Sequence, residues 1–139
     1  MGALGPAMLG VARDLADGVT TAWAGPKTLE SSIAPAVGSK RLVASCLVAV
    51  TADPDALREW ITEKYGAAAS LPAYRAIFDR EGISGPAGTL IAGGEAGVRR
   101  GVARFAEAGA TDFLALPIGS APERRRTAEL LATLGSACD

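Results

Sequence analysis

The chain has 139 residues, enough for one domain with its own core, and 49 % hydrophobic against 21 % charged residues excludes a disordered chain. A formal net charge of −1 gives no electrostatic attraction for nucleic acid or for an anionic membrane surface. There is no histidine, which removes the commonest general base, histidine-based triads and most metal sites; no metal is expected. Aromatic residues make up only 5 %, so the core must close by tight backbone packing around Ala and Gly. Cys46 lies inside an apolar run and Cys138 in the last residues, a placement that predicts no disulfide. Met1 to Gly10 has no basic segment of the signal-peptide kind. The longest apolar run, Leu42 to Val50, is far short of the ~20 residues of a membrane span. A cytoplasmic protein is expected.

In chain order, Gly5-Pro6 opens a helix, because proline loses nothing at a first helical position whose N–H is unpaired anyway. Met8, Leu9, Ala12, Leu15 and Ala16 follow at helical spacing, and Asp17-Gly18 stops them. Val19 to Ala24 suits a buried strand. After Gly25-Pro26-Lys27, Thr28 is placed to cap a helix with Leu29, Ile33 and Val37 on one face. Pro35 inside that pattern predicts a short or kinked helix. Leu42 to Val50 reads as a strand covered on both faces. Asp53-Pro54 caps a helix with Leu57, Trp60, Ile61 and Tyr65 in one stripe. A further helix carries Tyr74, Ile77 and Phe78 and ends at Glu81-Gly82, whereas Gly85 to Gly94 reads as loop. Val98, Val102, Phe105 and Ala106 mark the next helix, stopped by Gly109. Phe113 to Ile118 is a strand, and Pro122-Glu123 opens a last helix bearing Thr127, Leu130, Leu131 and Leu134.

Strands separated by helices require parallel pairing with right-handed crossovers, so the class is α/β in a single domain. About three strands cannot close a barrel, and a whole (β/α)8 barrel needs about 250 residues. The first helix also precedes every predicted strand, an order that points to a missing upstream part or a second chain.

Anion-binding sites in such folds are uncapped helix starts at the carboxyl ends of strands. Gly93-Gly94-Glu95 fails that test because Glu95 already occupies the helix start, and Gly93, Gly97 and Gly101 read better as a close-packing face. No GxGxxG follows a strand. Ala3-Leu4-Gly5-Pro6 passes, with no charge before Arg13. Gly25-Pro26-Lys27-Thr28 passes too and adds a cation, while Thr20 and Thr21 end the strand between the two turns. Both turns could equally be plain helix starts. Asp53-Pro54-Asp55 reads as a cap, and Arg124-Arg125-Arg126 as solvated helix exterior.

At these residues the sequence resembles the luciferase-like monooxygenase family, and within it the branch that uses the deazaflavin coenzyme F420. Leu4-Gly5-Pro6-Ala7-Met8-Leu9, Ala16-Asp17-Gly18-Val19 and Ala24-Gly25-Pro26-Lys27-Thr28-Leu29-Glu30 carry the likeness. It continues through Val48 to Pro54, Leu71 to Arg75, Asp79 to Gly82 and Ala108 to Phe113. The resemblance implies a partial (β/α)8 TIM barrel, with residues 1–139 as one C-terminal half-barrel segment running from the tip of the fifth strand to the final helix. It implies an oxidoreductase that transfers hydride between reduced F420, or alternatively FMN, and a small organic substrate. Ala3, Leu4, Gly5, Pro6, Thr20, Thr21, Ala22 and Lys27 would approach the cofactor's phosphate side, and no catalytic acid or base is assigned. The chain is expected to be truncated, and to pair with itself as a homo-oligomer or with a complementary half-barrel; a non-catalytic assembly module is the alternative function.

Overall fold

The long strand β2 (Arg41–Val50) organises the fold, and in a computed structural model describing residues 1–135 it is the common neighbour of every other strand. Cys138, and with it the expectation of no disulfide to Cys46, lies outside the described residues. Strand β1 (Gly18–Ala22) pairs parallel with the first half of β2, Gly18 opposite Arg41 and Ala22 opposite Ser45. Strand β4 (Asp112–Pro117) runs parallel to Val43–Val48, and the short β3 (Ile91–Gly93) to Val48–Val50. Val43 to Ser45 face both β1 and β4, and Val48 faces both β3 and β4. A strand has only two edges, so β1 and β3 lie in tandem along one edge of β2 and β4 takes the other. Beyond β1, the Thr20 N–H donates to Met1 O and the Ala3 N–H to Thr20 O, so residues 1–3 add a parallel stub to its outer edge.

Seven α-helical segments join the strands: α1 (Pro6–Leu15), α2 (Pro26–Thr28), α3 (Ala34–Val37), α4 (Pro54–Tyr65), α5 (Pro72–Glu81), α6 (Glu95–Glu107) and α7 (Ala121–Gly135). Leu9 and Ala12 of α1, Ile77 and Phe78 of α5 and Phe105 of α6 are buried against Val19, Leu42, Ala44 and Cys46 of the sheet, which alternate onto one face. A smaller cluster joins Val48 and Val50 to Val98 and Leu130.

Three local expectations need correction or refinement. The helix after Gly25 is not capped by Thr28; Gly25 is its N-cap and Thr28 is buried within it. The helix through Pro35 is short as expected but is not one continuous α-helix: a π-turn (Leu29–Ile33) links α2 to α3, so that proline, which lacks an N–H, falls in the first turn of α3. Leu29, Ile33 and Val37 consequently all reach the core. The stretch Gly85 to Gly94 is not all loop, since Pro86–Thr89 forms a 3-10 turn and β3 follows, giving four strands.

A fourth difference concerns β2 itself, which is fully covered on one face only. Val43, Ser45 and Leu47 on the other face are half-buried, and their neighbours Thr20, Ala22, Leu114 and Leu116 are exposed. The result is a parallel sheet with helices on one side, which is a partial (β/α)8 barrel seen from its open interior.

Candidate functional site

The uncovered face ends at the carboxyl side of β1 in a cleft of about 560 Å3. It is lined by Gly2, Ala3, Leu4, Gly5 and Met8 from the stub and α1, Thr20, Thr21 and Ala22 from β1, Ser45 from β2, and Ala73 and Tyr74 from α5. Register explains the grouping. Gly2 lies beside Thr20, and Ala22 beside Ser45, so stub, β1 and β2 deliver their residues to one place.

Helix α1 starts at that cleft. Its N-cap Gly5 is extended and carries no capping side chain, Pro6 fills the first position, and no acid occupies the first turn. The first N–H groups of such a helix have no internal acceptor and carry the positive end of its dipole. Space beside Gly5 is open, with no atom within 4 Å of where a Cβ would stand. Thr21, 2 % exposed, has a hydroxyl with no hydrogen-bond partner. That hydroxyl lies with Val19 on the helix-covered face of β1, so Thr20 and Ala22, which alternate with it, are the residues that turn their side chains to the cleft. No charged side chain lines the cleft. Selectivity for an anion would therefore come from N–H groups and hydroxyls rather than from a paired cation.

Six of the eight residues singled out in the sequence, Ala3, Leu4, Gly5, Thr20, Thr21 and Ala22, line this cleft. Pro6 begins α1 without lining it. Lys27 is elsewhere, in a crevice of about 370 Å3 with Gly25, Glu81 and Arg104, where its Nζ donates to Glu81 O. The Gly25-Pro26-Lys27 turn is also not an open anion cup. The Glu81 carboxylate accepts from the Thr28 N–H at 2.6 Å, and a Cβ on Gly25 would stand 2.5 Å from its Oε2. Gly25 is thus the gap through which an internal anion reaches the helix start. Residue types and spacing cannot show that Glu81, 53 positions away, fills the turn.

Sequence reasoning missed Met8, Ser45, Ala73 and Tyr74. Ser45 was recoverable, since it alternates with buried Ala44 and Cys46 and must face the open side. Tyr74 arrives through tertiary packing of α5, where it stacks on Phe78 at 6.1 Å, and no local signal announces it.

At the end of β1, Trp23 has φ 59°, the left-handed region that a bulky side chain enters only under strain. Its ring lies 5.5 Å from that of Tyr65. Across the sheet, Glu123 is held far below the usual carboxylate range, at about 2, by donors from Ser120 and Thr51. Cys46 is no nucleophile: burial pushes its thiol up to about 12. Among the described residues, no cluster of Cys, Asp and Glu could hold a metal ion, and no helix is long and apolar enough to cross a membrane.

This parallel half-barrel, with its cleft at the carboxyl end of the strands, has the fold of coenzyme F420-dependent oxidoreductases. One solved structure that shares it is the coenzyme F420-dependent tetrahydromethanopterin reductase from Methanopyrus kandleri, with a TM-score of 0.67 and 22 % identity over 94 % of this chain and 48 % of the other. Another is an F420-dependent secondary alcohol dehydrogenase in complex with an F420-acetone adduct, with a TM-score of 0.64 and 16 % identity over 84 % and 42 %. The chain thus spans about half the length of the structures it matches. No protein-family model matches it, and no curated protein does.

Proposed function

We propose that the chain is a half-barrel of an F420-dependent oxidoreductase of the luciferase-like family, and that the cleft at α1 holds the phosphate side of the deazaflavin. One observation carries this reading: the uncapped start of α1, with open space at Gly5, stands in one cleft with Thr20 and Ser45 of the uncovered face, at the carboxyl end of β1. The residues fit an anionic group, because nothing acidic occupies the first turn and Gly5 leaves the approach open. Both solved neighbours are F420-dependent, which favours the deazaflavin over FMN.

When bound, the deazaflavin supplies the hydride-exchanging ring, and the protein's share is binding and orientation. The first N–H groups of α1 would take the phosphate oxygens. Thr20 and Ser45 present hydroxyls from the sheet. Leu4, Met8 and Tyr74 form the apolar wall that limits water there.

A fluorescence titration of the full chain with coenzyme F420, with FMN in parallel, tests the reading. Saturable binding that prefers F420 is expected, and Gly5→Asp should weaken it about tenfold by placing a carboxylate at the helix start. Aspartate is a good N-cap and Gly5 has open space, so the variant folds. Unchanged affinity in Gly5→Asp would overturn the site. Lys27→Glu, in the other crevice, should leave affinity unchanged.

The open sheet face supports a second reading, an assembly role in which another half-barrel covers it. Leu114 and Leu116 are 49 % and 45 % exposed on the face that a closed barrel would bury. The two readings are compatible, because covering that face would also complete the cleft's surroundings.

A further inference from the structure

The carboxyl end of β4 opens on a second cavity, of about 430 Å3, whose walls include Leu57 and Trp60 of α4, Pro117 and Ile118 at the end of β4, and Glu123 and Arg124 of α7. Trp60 is 40 % exposed although its neighbour Ile61 is fully buried, so a large apolar ring is presented to this space. The ring is also the end of a row. Trp23 directly follows Ala22 of the first cleft, its ring is 5.5 Å from Tyr65, and Tyr65 stands edge-on to Trp60 at 6.0 Å. Trp60 is therefore braced from behind by a row of rings rather than standing alone.

Charges around the cavity are already engaged. The Glu123 carboxylate accepts from the Ser120 N–H, the Ser120 hydroxyl and the Thr51 hydroxyl. Arg124 donates to Gly119 O, and the Lys64 ammonium lies over the Trp60 ring, 4.9 Å from its centroid. Each of these three charges already has a partner of its own, so none is left free to select a charged ligand. What the cavity offers a small molecule is apolar and aromatic surface with a few fixed polar atoms, the usual make-up of a small-molecule site.

We infer that this second cavity binds the organic substrate of the proposed oxidoreductase, and that the substrate is a neutral, planar conjugated molecule stacked on Trp60. The substrate assignment rests on the cofactor reading of the first cleft; the ligand class rests on the cavity alone. Trp60 sets the flat wall, Leu57, Pro117 and Ile118 form the apolar surround, and Glu123, Arg124 and Lys64, each held by a partner of its own, leave no free charge to hold an ion.

The test uses 2-naphthol as the neutral planar probe, with 2-naphthoate as its anionic analogue and cyclohexanol as its non-planar one, by equilibrium dialysis against the full chain without coenzyme. Saturable 2-naphthol binding is expected, at least about tenfold tighter than either comparator. Trp60→Ala should weaken it about tenfold, whereas Trp60→Phe, which keeps a ring, should hold it within about threefold. Leu57→Arg should block it from the facing helix turn if Trp60→Ala proves unstable. Leu71→Ala, at a leucine 52 % exposed outside both cavities, should change nothing and so rules out generic apolar stickiness. Equal binding of the three probes, or 2-naphthol binding indifferent to both Trp60→Ala and Leu57→Arg, overturns the inference. Because no coenzyme is present, a failed F420 titration would count against the first cleft alone, and Trp60-dependent 2-naphthol binding would still establish the ligand class of the second.

Discussion

Two carboxylates govern how this chain responds to acid. Asp112 is lowered to about 2 by the Arg41 guanidinium, which donates twice, and by Thr111; Glu123 is lowered to about 2 by Ser120 and Thr51. Both folded values lie below the ordinary carboxylate range near 4. The stability they contribute is therefore complete above that range and is lost as pH falls from about 4.5 through 2, where the unfolded chain takes up protons first. Urea midpoints should fall modestly as pH drops from about 5 to 3, because both groups are solvent-accessible, and Asp112→Asn should flatten the slope. A midpoint independent of pH in that window would contradict both assignments. Gly25→Ala is the other informative change at this scale. Its methyl must push the Glu81 carboxylate off the Thr28 N–H, at a cost of about 1 kcal/mol that urea unfolding would register. Legibility at the residue scale followed sequence distance. Asp53, which caps α4 by accepting from the Ala56 N–H three residues on, was readable from its own neighbourhood. Thr28 was misread as a cap because its competitor, Glu81, comes from another helix.

Helices were readable from the sequence to within a residue or two wherever an apolar stripe met a Gly or Pro boundary, as in α5, which Pro72 opens and Gly82 closes in the left-handed conformation. β3 was not readable, because three residues between glycines carry no period; only pairing with Val48–Val50 makes them a strand. The stripe on α4 misled in a different way. Ile61 is buried as its periodicity predicts, but Trp60 and Tyr65 of the same stripe are 40 % and 37 % exposed, Trp60 facing the second cavity and Tyr65 packing against the Trp23 and Trp60 rings. Helix α6 packs on β3 so closely that a Cβ on Gly101 would come within 2.6 Å of Ile91 Cγ2. Gly101→Ala should destabilise the chain by about 1–3 kcal/mol through overpacking. Combined with Ile91→Ala, which removes the clashing methyl, the loss should be clearly less than the sum of the two single changes, as a double-mutant cycle by urea unfolding would show.

At the scale of the molecule, alternation of strand and helix was enough to foresee a parallel sheet, the resemblance to the luciferase-like family implied the partial barrel, and the fold agrees with both. Composition could not foresee that the helices would all lie on one side. That asymmetry leaves Leu114 and Leu116 uncovered, and it leaves β4 with an unpaired edge among the described strands. Exposed parallel edges and an apolar face favour association. Sedimentation should show species heavier than the 14.0 kDa monomer, and Leu114→Lys with Leu116→Lys should shift them toward it. A sharp monomer with cooperative unfolding would remove the assembly reading and leave the cleft assignment untouched.

The position of β2 also dictates where the chain can breathe. Among the described strands no other pair hydrogen-bonds except through β2, so its central amides, Val43 to Val48, can exchange with solvent only when the whole sheet comes apart. Amides of the stub, by contrast, are held by a few bonds to the outer edge of β1 and open by fraying. The cleft proposed for the coenzyme is built partly on that fraying margin, whereas the cavity at Trp60 includes none of the stub's residues. Deuterium uptake at Ala3 and Thr20 should therefore slow sharply when the coenzyme binds, while uptake along the middle of β2 hardly changes.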